Sequence, residues 1–148
     1  MAHDEPLNEL RLRHEAIEKR HHRLTEFGHQ WDHTIRSELQ RLAHVLWPDA
    51  HVLGVIPLHQ VRLRYRFEEE AWVWWIEHDI PPHDRYHCEA YRVTLTLGAG
   101  NEPVLSVESG AGVYRVAPLT ETALETALAQ AGENPPLVIP RAMGEVID

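Results

Sequence analysis

Between Pro6 and Trp47 the apolar residues fall at Leu7, Leu10, Ile17, Leu24, Phe27, Trp31, Ile35, Leu39, Leu42 and Leu46, in steps mostly of three, four or seven. That spacing predicts a helix with a near-heptad seam. Pro6 suits a first helical turn, and Glu5 and Glu9 suit the positive end of the helix dipole. Pro48 stops the pattern. A continuous helix over 6–47 would be about 60 Å long, roughly twice the span of one small domain. Either it breaks near Gly28 or its first half projects. The two halves also differ in kind. The stripe from Phe27 to Leu46 is wide and contains Trp31, as expected of a helix packed on a core. The stripe through Leu7, Leu10, His14, Ile17, His21 and Leu24 is narrow, with His14 and His21 where a seam expects apolar residues. A narrow seam suits a partner helix, so these six residues are the expected interface.

From about His51 the period changes to two. VRLRYRF, residues 61–67, places Val61, Leu63, Tyr65 and Phe67 on one face and Arg62, Arg64 and Arg66 on the other. EEE then turns, and AWVWWIEH returns as the second arm of a hairpin with its register open. Trp72, Trp74 and Trp75 fall on both faces of that arm, so both faces must be covered. CEAYRVTLTL, PVLSVE and VYRVA continue as strands, separated by the turns GAGN and SGAG. Residues 119–132 form a short amphipathic helix, with Thr120 as its cap and Gly132 ending it. The tail, 133–148, is too rich in proline for a helix, and PLVIP either lies extended over the core or reaches a neighbour.

The fold class that follows is α+β in one domain, 1–148. It has a helical segment over 6–47, an antiparallel meander of four to six strands over 51–117, a helix over 119–132 and an extended tail. The stretch 48–57 is either a linker or a first strand.

The length of 148 residues is enough for one core without staples. The single cysteine, Cys88, rules out an intramolecular disulfide. The N-terminus lacks the apolar region of a signal peptide, and no stretch is long and apolar enough to span a bilayer. The expected setting is the cytoplasm, without a membrane. A formal charge of −9 disfavours a general nucleic-acid binder. Twelve histidines make the charge sensitive to pH near 6.

Three constellations carry chemistry. HDIPPHDRYHC groups His78, Asp79, His83, Asp84, His87 and Cys88, followed by Glu89, all residue types that can hold zinc or another divalent transition metal. Against this stand the lack of paired cysteines and the ordinary appetite of an exposed loop for Asp, His and Pro. On the helix, His22, Glu26, His29 and His33 share a face, which reads first as a solvated polar row. On the strands, Arg62, Arg64 and Arg66, joined by Arg92 and Arg115 and flanked by Trp74 and Trp75, offer cations and rings to an anionic ligand or a single nucleic-acid strand. Glu77, Glu89 and Glu108 are the competing partners for those arginines.

Neither a phosphate loop nor a nucleophile elbow is present. His87 and Cys88, being neighbours in a strand, point apart and make a poor base–thiol pair. The leading expectation is therefore a non-enzymatic interaction domain, an adaptor, chaperone or accessory factor. It would work as a homodimer or with another protein through the helix and the PLVIP tail. A metal-dependent protein and an anion-binding sheet face are the alternatives.

Overall fold

The computed structural model describes residues 5–48, 61–68, 70–80, 86–141 and the backbone of 145–146. In it the first helical pattern is one unbroken helix, α1 (Glu5–Leu46). Its 42 residues reach about 63 Å. Gly28 does not break it. A Cβ at Gly28 would stand 2.3 Å from Nε1 of Trp72. The glycine costs about 1 kcal/mol of helix propensity and lets an indole lie against the helix backbone.

The period-two stretches become strands β1 (Val61–Glu68), β2 (Ala71–Asp79), β3 (His87–Leu97), β4 (Pro103–Ser109) and β5 (Gly112–Arg115), followed by helix α2 (Glu121–Gly132). The tail adds β6 (Leu137–Pro140), and a two-residue β7 (Glu145–Val146) pairs with β1. All pairings are antiparallel, in the order β5-β4-β3-β2-β1-β7. β3 is long enough to share one edge between two strands. Its residues 92–97 pair with β4, and 87–90 pair with β6. PLVIP is thus a strand of the chain's own sheet. The proposed early strand within 48–57 falls almost wholly outside the described residues.

Alternation makes the inner sheet face apolar. Leu63, Trp74, Ile76, Val93, Leu95 and Leu105 are fully buried there, beneath Ile35 and Leu39 of α1 and Leu124 of α2. Trp74 donates its indole N–H to Asp32 of α1 at 2.8 Å, which in turn pairs with Arg36. Thr120 caps α2 as expected, accepting from the Ala123 amide. Gly132 does not serve as a left-handed cap. It is the last helical residue, and a Cβ there would meet Leu42 at 3.0 Å, so its smallness serves the approach of α2 to α1. No helix among the described residues is long and apolar enough to cross a membrane.

Candidate functional site

α1 is docked for only part of its length. Leu24 is its first buried residue. One turn earlier, Arg20 donates to the carbonyls of Leu97 and Gly98 and to Oδ1 of Asn101, and Arg23 donates to the Asn101 carbonyl. Asn101 sits at φ 61°, a left-handed conformation that asparagine tolerates well. These four bonds fasten α1 to the β3–β4 turn. Residues 5–19 project beyond them for about 22 Å and are exposed throughout. Of the expected seam, Leu7, Leu10 and Ile17 are 67%, 51% and 63% exposed, and His14 is open too. His21 lies edge-on to Phe67, and Leu24 belongs to the chain's own core.

The outer sheet face carries the arginines. Register places Arg64, Trp75, Arg92 and Glu108 in one row across β1 to β4, and Arg62 beside Glu77 in the next. Arg62 donates to Glu77 at 2.8 Å and to Asp79 at 2.7 Å. Arg64 also holds Glu77, whose other oxygen accepts from the Trp75 indole. Glu77 is only 1% exposed, so this is a buried ionic cluster. Burial alone would lower the basicity of Arg62, but Asp79 and Glu77 outweigh it and raise it. Burial alone would likewise raise the Asp79 carboxyl; Arg62 and Arg141 hold it below its ordinary range. Glu77 and Glu108 are thus the cross-strand partners the alternation suggested. Glu89 is not, because it lies on the inner-face register opposite His78.

Arg62 and Arg64 are committed inside the cluster. Arg66 pairs with Glu68 at the surface and stands 5.7 Å over the Trp75 ring. Arg92 directs two nitrogens to a single oxygen of Glu108. Arg115 is exposed at the far end of the neighbouring row. Trp74, grouped with the arginines in the sequence, lies on the opposite face and is buried against α1. Beside Trp75 a cavity of about 450 Å³ opens, bounded by Arg66, Val73, Trp75, Ala90, Arg92, Leu137, Ile139, Pro140 and Arg141.

The metal candidates are divided by the pleat. His78 is opposite Glu89 on the inner face, stacked on Trp47 at 4.7 Å with Nδ1 3.9 Å from Glu89. Asp79 is opposite Cys88 on the outer face. Alternation along β3 puts His87 on the His78 side and exposes it. So the four described candidates form two pairs on opposite faces of the sheet. His83 and Asp84 lie outside the described residues. Burial, reinforced by Glu77, raises the Cys88 thiol above its ordinary value, which keeps it protonated rather than reactive.

In the helical row, His22 and Glu26 pair at 3.0 Å, well exposed, while His29 leans on Trp72. One cluster among the described residues has ligand-like spacing, Glu38, Glu121 and Glu125. Arg41 already bridges Glu38 and Glu125 at 3.0 and 3.2 Å.

Sequence reading missed the anchoring arginines 20 and 23, which look like ordinary surface charges on a helix. It also missed Leu137, Ile139 and Arg141 as parts of the outer face. Their signal was the alternation of LVIPR, masked by flanking prolines. No family model matches the chain, and neither a curated protein nor a solved structure matches it.

Proposed function

We propose that this chain is a non-enzymatic association domain, an adaptor or accessory factor, that acts as a homodimer through its projecting helical arm. The observation that carries this reading is the exposure of Leu7, Leu10 and Ile17 on a helix fastened at its base by Arg20. At about 100° per residue, Leu10, Ile17 and Leu24 lie within about 40° of one another around the helix axis. The open seam therefore faces the side on which the sheet sits farther along.

That placement selects the partner's direction. A parallel partner helix would run into this chain's own sheet beyond Arg20. An antiparallel partner meets only the arm. Pairing seam to seam then sets Leu7 against Ile17 and Leu10 against His14. A hollow of about 100 Å³ at the arm's base, lined in part by Ile17, His21, Leu24 and Leu97, receives the partner's Leu7. The arm, 5–19, carries Glu5, Glu9, Glu15 and Glu18 against Arg11, Arg13 and Lys19, so two copies do not repel strongly.

Six aliphatic side chains across the pair would contribute at most roughly 9–18 kcal/mol, against an association cost of roughly 4–15 kcal/mol. Micromolar association is the expected scale. A single cysteine, and hence no internal disulfide, fits a cytoplasmic setting.

Sedimentation equilibrium from 1 to 100 μM, as probe concentrations, tests the reading. Twice the chain mass at the upper end, reduced to one chain mass by Ile17→Glu, is expected. One chain mass throughout for the unaltered protein overturns it.

A further inference from the structure

The cavity beside Trp75 has properties that the arm does not explain. Its 450 Å³ fall within the range of small-molecule pockets. Its floor is apolar. Val73 and Trp75 come from β2, and Leu137 and Ile139 stand on β6 opposite Ala90 and Cys88. Ala90, a single methyl among long side chains, leaves the depression. Its rim is cationic, with Arg66, Arg92 and Arg141.

Among the described residues, Arg66 pairs with Glu68, Arg92 with Glu108 and Arg141 with Asp79, and none of these three carboxylates lines the cavity. Arg62 and Arg64, locked to Glu77, do not line it either. Three arginines thus gather at one rim of a chain whose net charge is −9. Arginine's planar fork matches a carboxylate, and Arg92 engages only one carboxylate oxygen through two of its nitrogens.

We propose that this cavity binds a small amphipathic carboxylate, with its apolar part on the partly exposed Leu137 and Ile139 and its head between Arg66 and Arg92. A single nucleic-acid strand fits less well. Stacking needs an open ring face, and Trp75 is only 3% exposed. The site uses no residue of the arm, so it stands or falls separately from dimerisation.

The experiment is isothermal titration of the full chain with hexanoate, octanoate and decanoate, with 1-octanol and octyltrimethylammonium as neutral and cationic counterparts. One saturable site per chain is expected, tightening about two- to four-fold per added methylene. Octanoate should bind at least ten-fold more tightly than 1-octanol, and the cation should not bind. Arg66→Gln should weaken octanoate about ten-fold. Its partner Glu68 is at the surface, so this variant should keep its fold, as its melting curve would report. Leu137→Trp, which fills the cavity, should abolish binding. No saturable heat at millimolar octanoate, equal binding of 1-octanol, or an unchanged affinity in Arg66→Gln overturns the proposal. So does a ten-residue oligothymidylate that binds more tightly than octanoate.

Discussion

Leu10 and Leu39 occupy the same stripe of one helix, yet Leu10 is 51% exposed and Leu39 is fully buried. The residues around them explain the difference. Near Leu39 the neighbouring positions of the stripe are Ile35, Leu42 and Ala43, all buried in the core. Near Leu10 they are Leu7, His14 and Ile17, all exposed, with no sheet beneath them among the described residues. One periodic pattern thus serves two purposes. It completes a core where the sheet lies under it and offers a seam where the sheet has ended. Arg20 and Arg23 mark the border, by tying the helix to the last turn the sheet presents.

Truncating each leucine in turn separates the two halves of the helix most strongly. Leu39→Ala should cost about 2–5 kcal/mol in unfolding by denaturant, since it opens a cavity in a closed core. Leu10→Ala should change the stability of the monomer by less than about 0.5 kcal/mol. Equal losses would mean that the arm folds back on the body in solution.

A smaller effect is expected at the border. Arg20→Ala removes three hydrogen bonds to the β3–β4 turn, and should cost about 1–3 kcal/mol. Amide exchange at residues 98–101 should rise with it. Exchange unchanged there would relocate the anchor.

The smallest effect concerns titration in the docked half. Burial raises the Glu38 carboxyl above its ordinary value; Arg41 opposes this and Glu125 adds to it. The native state therefore holds this proton more tightly than the unfolded chain does. Glu38's contribution to stability is best at low pH and is lost as pH rises through its raised value. Glu38→Gln should compare most favourably with the parent at pH 7, and that difference should narrow as pH falls toward 4. A difference that widens on acidification would show that the Arg41 pairing dominates instead.

Much of this architecture was legible in the chain. The change from period 3.6 to period two separates α1 from the sheet, and strict alternation sorts Arg62, Arg64 and Arg66 from Val61, Leu63 and Tyr65. The same alternation, carried to the ends of β2 and β3, sends Asp79 and Cys88 to one face and His78 to the other, although the residues read as one loop. Other features needed three dimensions. Gly28 looks like a hinge until Trp72, forty-odd residues later, is seen lying across it. Leu137 to Pro140 looks like a loose tail because proline cannot sit inside a central strand. Pro140 ends the strand, where its missing N–H matters least, so the pairing with His87 to Ala90 survives. The cavity beside Trp75 was illegible for the same reason, since one of its walls is that strand.

The shared edge of β3 has a consequence for synthesis. Cys88 must wait for Ile139, about fifty residues downstream, before its side of the sheet is closed. While a nascent chain is still emerging from the ribosome, the 87–90 edge stays unpaired even after β2 and the 92–97 pairing have formed. Open edges recruit other strands. Residues 137–140 therefore act as a built-in guard for a surface created much earlier, and a product terminated before Leu137 should be prone to aggregation.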